Sequence, residues 1–522
     1  MNMYMKKIFA IAALALCVVP VTAQETYENA KLVENDLNGT ARYVGMGGAL
    51  EALGADISTI STNPAGIGLF RKSSASVSFG GVSQQDAQDF GGGNKTNMSF
   101  DQIGFVYSTR SSSTGFLNFA FNFHKSKNFD YILSASDRLV NASQNKLSYA
   151  KAKNGLLFKG NGAGPNYDSP YASCNQLDDL YARNILYDED THTWYYDESD
   201  GYTMDRAHKG YIGVYDFNLS GNIDNRYYLG VTIGLHDVHY KHYGEYVEHY
   251  PQFHDMMQVV ADDREITGMG ADVKFGFIFR PVETSPFRIG LSLTTPTWYD
   301  LTTWNYTTIT ESTSPEYADI SEEYEYKVYT PWKFGLSLGH TIGNYLALGA
   351  SYEYADYGNT DTRVKTGEHY NWWYDDYYDD SESDDEMNRH TSATLKGVST
   401  LKLGAEFKAA PEVAVRFGYN YVSPMYQKDG FKDGTLASNG SYYSSATDYT
   451  NWEATHRLTC GLGIQMDKLN LGVAYQYSVQ NGYFEPFMSY VDNDTALDDN
   501  IADAVKVSNK RHQLLLTATY TF

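Results

Sequence analysis

Read backwards from Phe522 in steps of two, the chain gives Tyr520, Ala518, Leu516, Leu514 and His512. The interleaved set is Thr521, Thr519, Thr517, Leu515 and Gln513. Alternate side chains of a strand leave on opposite faces, so this segment has one oily, aromatic face and one mostly polar face. Leu515 is the exception on the polar side. A final strand of this kind, with an aromatic residue last, constrains the rest of the chain: either one half-buried edge strand, or the closing strand of a barrel whose outside is apolar.

The opposite terminus indicates export. Lys6 and Lys7 precede an apolar run over residues 8–19, and Val21-Thr22-Ala23 offers small residues for cleavage. This is the pattern of a secretory signal peptide, residues 1–23, with Gln24 first in the mature chain. Leu16 before Cys17 is too large for a typical lipoprotein signal. No later segment has the 18 or more consecutive apolar residues that a membrane helix needs.

Composition excludes several classes. The formal net charge of −24 is wrong for nucleic-acid binding, which needs basic surfaces. With Cys17 removed, Cys174 and Cys460 remain, and no disulfide framework is evident. The mean hydropathy of −0.45 looks soluble, but a membrane barrel is apolar on only one side of each strand. The 46 Tyr fit aromatic girdles and aromatic loops.

Period-2 alternation predicts about fourteen strands. Leu469, Leu471, Val473, Tyr475 and Tyr477 alternate with Asn470, Gly472, Ala474, Gln476 and Ser478; Val413, Val415, Phe417, Tyr419 and Tyr421 alternate with Ala414, Arg416, Gly418 and Asn420. The small, polar face predicts a wet lumen. Tight links near 111–114, 222–225, 281–286, 341–344, 409–412 and 466–468 alternate with long ones near 84–96, 134–210, 243–264, 299–325, 360–389, 424–453 and 481–510. Short periplasmic turns and long outer loops are the rule for transmembrane barrels. The predicted fold is all-β: an antiparallel transmembrane β-barrel over residues 73–522, in the outer membrane of a Gram-negative bacterium.

Residues 24–72 do not alternate. They are rich in Gly, Ala and Ser, include Gly45, Gly47 and Gly48, and contain the turn Asn63-Pro64-Ala65. This lead, the Asn63-Pro64-Ala65 triplet, the alternating strands and the terminal Phe522 resemble the FadL/TodX family of outer-membrane transporters for hydrophobic compounds. The resemblance implies a 14-stranded barrel with residues 24–72 as an N-terminal hatch inside the lumen. It implies passive, ligand-gated uptake of fatty-acid-like or aromatic molecules without an energy-coupling box, and recognition of the Phe522 end by the barrel assembly machinery; no cofactor is expected. It also implies a sideways exit at a kinked third strand, for which Lys125, Ser126, Lys127 and Asn128 are the candidates. On the residues alone, outward Lys125 and Lys127 meeting lipopolysaccharide phosphates is the simpler account.

Other motifs carry bland readings beside the functional ones. Gly335-Leu336-Ser337-Leu338-Gly339 matches G-x-S-x-G but lies in a period-2 run, whereas that motif needs a strand-to-helix elbow; no nucleophile–base or metal constellation is apparent, and an enzyme is not expected. His236, His239, His242, His249 and His254 could suit haem uptake, yet alternation sends His239 away from His236 and His242, which predicts rim histidines in water. Trp372, Trp373 and Tyr374 are a candidate landing loop for ligand. The acidic stretch 375–386 reads as a solvated loop tip before a cation site. The alternative to a channel is a surface adhesin or structural barrel acting through its loops.

Overall fold

The structure is a computed structural model, describing residues 25–522 except 161–164, 189, 254–255, 313–316, 372–375, 439–441, 444–445 and 492–498. The predicted signal peptide, residues 1–23, lies outside the described residues. Nineteen strands form one sheet: β1 (Ser74–Gln84), β2 (Thr96–Arg110), β3 (Phe116–Asn128), β4 (Tyr131–Ala142), β5 (Ser199–Ile223), β6 (Tyr227–Tyr250), β7 (Met256–Phe279), β8 (Arg288–Thr294), β9 (Trp298–Glu311), β10 (Tyr317–Tyr329), β11 (Lys333–Ile342), β12 (Leu346–Asp356), β13 (Asp361–Asn371), β14 (Asp376–Ser383), β15 (Gly397–Ala410), β16 (Val413–Val422), β17 (Tyr449–Met466), β18 (Leu469–Glu485) and β19 (Val505–Thr521).

Antiparallel pairing runs β1-β2-β3-β5-β6-β7-β8-β11-β12-β15-β16-β17-β18-β19 and returns from β19 to β1. The ring is closed with fourteen strands, which removes every free edge at that level. Its outside carries the exposed apolar rows that the alternation predicts, among them Phe105, Leu219, Ile233, Leu336, Leu471 and Leu516. A closed barrel with such a belt is a transmembrane barrel, because lipid replaces water around those side chains.

Two sequence expectations are corrected. The links near 243–264 and 299–325 are not loops: β6–β7 and β9–β10 continue as hairpins beyond the ring. Tyr, Val and Thr in these segments favour extended chain, and each hairpin satisfies its backbone in its partner strand. The expectation of a wet inner face also changes. Wall glycines facing inward lie against residues 45–65. A Cβ on Gly349 would sit within 2 Å of the Ala49 carbonyl oxygen, at 1.9 Å; on Gly418 it would be 2.1 Å from Gly47 N; on Gly276 it would be 2.3 Å from Asn63 Oδ1. Small inward residues record close approach of backbone to backbone.

That inner segment comprises α1 (Thr26–Val33), α2 (Ala41–Gly45) and two 3₁₀ turns, Ile57–Ser61 and Pro64–Leu69. Among the described residues it has no sheet partner, and its carbonyls take hydrogen bonds from polar wall side chains. Thr232 Oγ1 donates to Ile60 O at 2.9 Å, Ser220 Oγ to Pro64 O at 2.8 Å, Asn118 Nδ2 to Ile67 O at 2.7 Å and Thr459 Oγ1 to Gly45 O at 3.2 Å. The Ser, Thr and Asn on the inner face answer the accounting that any buried backbone demands.

Candidate functional site

Asn63 starts the second 3₁₀ turn. Its Oδ1 accepts the Ala65 N–H at 3.2 Å, and Pro64 occupies the first helical position, where its missing N–H costs nothing. Gly230, Gly276 and Gly290 make room for this turn on the wall. Gly47 and Gly48 both have positive φ, +62° and +84°, and bring the chain against β15 and β16. Trp372, Trp373 and Tyr374 lie outside the described residues.

The third strand runs unbroken through the candidate segment but carries a bulge in it. β3 pairs with β5 through Lys125↔Gly213 and then Lys127↔Ile212, so Ser126 is the extra residue of a bulge. The β2–β3 ladder begins only at Gln102↔His124, whereas β1–β2 pairing extends to Ser83↔Thr96. Residues 96–101 therefore have a partner strand on one side only, a gap in the hydrogen-bond ladder. Lys125 reaches across it: its Nζ donates to Ser99 Oγ at 3.2 Å and sits 4.8 Å from the Tyr211 ring centre.

Lys127 corrects the expectation of an outward cation. Its ammonium turns inward to Glu34 at 2.7 Å, with Asp36 at 3.8 Å. The bulge reverses the alternation there, and the carboxylates of the inner segment supply the partner. Residues 34–38 back the gap from inside: Asp36 N donates to Ser126 O at 2.7 Å, Asn128 N donates to Asp36 Oδ2 at 2.9 Å, and Asn38 Nδ2 donates to Lys125 O at 3.2 Å. Burial pushes the Asp36 carboxyl up, but Lys127, Arg511 and Arg457 outweigh it and hold it below the ordinary aspartate value. A depressed carboxyl stabilises above its unfolded pKa, and that contribution is lost as pH falls through the folded value. Protection of the Asn128 amide against exchange, relative to the intrinsic rate at each pH, will therefore fall as pH drops below about 4. Asp36→Asn will weaken the same contact by about 1.5–3 kcal/mol and remove that pH dependence.

The histidines also depart from expectation. His236 and His242 share the inner face and His239 the outer, as alternation requires, but the inward pair is buried instead of bathed at the rim. His236 Nε2 lies 3.0 Å from Asp272, which with Asp216 flanks Lys274; His242 Nε2 lies 2.5 Å from Asp262, which also takes Arg206. Each imidazole is held by a carboxylate, so the ion-paired lumen accounts for both. His254 lies outside the described residues.

Between α1 and the long-loop ends of the strands lies a cavity of about 150 Å³ that the sequence did not disclose. Tyr27 stacks on Tyr426 at 5.1 Å and tilts against Tyr449 at 5.2 Å; Trp452 meets Tyr131 edge-on at 5.6 Å; Phe129 meets Tyr240 at 5.0 Å. The phenols are anchored: Tyr27 OH donates to Asn451 Oδ1 at 2.8 Å, and Lys31 Nζ donates to Tyr240 OH at 3.1 Å. Lys127, Arg511, Gln480 and Asn509 line both this cavity and a smaller polar one beside Asp36. Aromatic faces on one side and paired charges on the other can hold a small apolar body next to the gap in the β2–β3 ladder. Its members come from eight chain segments, so no local spacing announces it.

Fold and site together define a transmembrane β-barrel with an internal aromatic cavity. No family model and no curated protein matches this chain. Solved structures do. The toluene transporter TbuX of Ralstonia pickettii is 11% identical with a TM-score of 0.47, covering 93% of this chain and 99% of its own. A Pseudomonas aeruginosa FadL homologue is 12% identical with a TM-score of 0.46, covering 97% and 99%. The monoaromatic hydrocarbon channel CymD is 10% identical with a TM-score of 0.46, covering 94% and 99%. Likenesses this distant carry no argument about sites or substrates.

Proposed function

We propose that this barrel is an outer-membrane channel for passive, ligand-gated uptake of hydrophobic small molecules, with residues 24–72 as its hatch. The aromatic cavity carries the reading. A cavity of about 150 Å³ is the size that holds a benzene-sized guest, and aromatic walls favour ring-on-ring contact. The ligand rests against Tyr27, Trp452 and Tyr131. From there the polar, ion-paired lumen below is unfavourable to an apolar body, whereas the gap beside residues 96–101 leads toward lipid. Movement of residues 34–38, which back that gap, is the gating step. The same features agree with the resemblance to the FadL/TodX transporters.

Toluene binding to the purified barrel, followed by calorimetry, tests this. The unaltered chain will bind, and Trp452→Ala will weaken binding by roughly tenfold, the equivalent of about 1.4 kcal/mol. Trp304→Ala, on the exposed face of the β9–β10 hairpin, will leave it unchanged. Absence of toluene binding together with absence of binding by a medium-chain fatty acid would sink the proposal.

A further inference from the structure

Leu515 is the one large apolar residue on the polar face of the last strand between Arg511 and Thr521, and the structure places it at a division between two cavities. Along the β18–β19 ladder the inward pairs run Ser478↔Arg511, Gln476↔Gln513, Ala474↔Leu515 and Gly472↔Thr517. The first two pairs line the polar cavity beside Asp36, of about 60 Å³. The last pair, with Asn470, Thr519 and Thr521, lines a larger cavity of about 520 Å³ at the short-turn end. Only Ala474↔Leu515 stands between them. Ala41 and Val44 of α2 complete it, and all four side chains are fully buried, at 0–1% exposure. The seal is tight: the Ala41 N–H donates to Thr517 Oγ1 at 2.7 Å, and a Cβ on Gly472 would meet the Ala41 Cβ at 3.1 Å.

We infer that this rung is a hydrophobic gate on a second, hydrophilic route along the β18–β19 seam, one that passes water and small uncharged polar solutes. Above and below it the seam offers amides and hydroxyls: Gln476 and Gln513 on one side, Thr517 and Thr519 on the other. The cations at its upper end face Asp36, with Arg457 at 3.5 Å and Arg511 at 3.9 Å, so the route has no strong preference for charge. Inward neighbours on a strand are roughly 7 Å apart, so the barrier is one residue thick. A short apolar constriction between wet spaces stays closed by excluding water, and a single hydroxyl in it relieves that exclusion. The inference rests on the hatch reading only in that Ala41 and Val44 finish the seal. It does not need a hydrophobic ligand.

The test uses the full chain with Cys174 and Cys460 replaced by Ser, reconstituted in lipid. Gln513→Cys, above the rung, will react slowly with a small methanethiosulfonate reagent; Thr517→Cys, below it, will react fast. Adding Leu515→Ser will speed the Gln513→Cys reaction at least tenfold and leave Thr517→Cys unchanged. Ala474→Ser, a smaller change, will act in the same direction should Leu515→Ser fold poorly. In liposome swelling with arabinose, the serine variants will swell faster than the parent, and Leu515→Phe will not. Equal Gln513→Cys rates with and without the serine, or swelling no faster than the parent, would overturn the gate. Toluene binding is read separately, so its loss would count against the uptake proposal alone.

Discussion

Leu516→Arg will impair assembly severely, whereas Thr519→Arg, three residues on, will be tolerated. Leu516 points to lipid, half exposed at 51%, and its two ladder neighbours Val473 and Phe79 are exposed apolar residues as well. On its own strand it lies midway between His512 and Tyr520, which mark the two borders of the apolar face. An arginine at the midplane of a barrel's lipid face costs about 2–4 kcal/mol. Thr519 lines the open cavity at the short-turn end, where a guanidinium stays hydrated. The measurement is the fraction of barrel that resists unfolding in detergent, read by gel mobility and by urea titration. Similar losses for both variants would refute the assigned faces.

The ring was legible in the sequence because its rule is local. Alternation over ten residues assigns faces, and the alternation of short and long links assigns the ends. Both signals survive in Leu471, Val473, Leu514 and Leu516, whose exposure follows the predicted phase. What lies inside the ring follows no local rule. Gly349, Gly404 and Gly418 looked like lining for water, yet each faces a backbone atom of residues 46–49. A glycine row reads the same whether it faces solvent or another chain segment; only the three-dimensional neighbour decides. Lys127 fails similarly, since one extra residue at Ser126 turns it from the lipid side to Glu34. The aromatic cavity was illegible for a third reason: Tyr27, Tyr131, Tyr240 and Trp452 are each ordinary among 46 tyrosines and seven tryptophans until the barrel closes.

Deleting residues 24–68 will leave a barrel that assembles but leaks ions. Every wall strand keeps its ladder partners, because the inner segment pairs with none of them. The deletion strips several buried cations of their partners: Arg264 loses Glu28, Lys402 loses Glu51, and Lys127 loses Glu34 and Asp36. In a dry lumen each stranded charge would cost several kcal/mol. The same deletion admits water, in which those charges are solvated at high dielectric, so the penalty falls away. The losses that remain are the apolar clusters of the segment itself, such as Leu37, Tyr43, Met46, Leu50 and Leu53, which leave with it. The seal at Ala474 and Leu515 also loses Ala41 and Val44, half of its members. Stability will fall modestly while conductance in a planar bilayer rises from closed to porin-like steps. A folded but closed truncated barrel would show that these residues do not occlude the lumen, and would leave the outer hairpins and loops as the place to look for function.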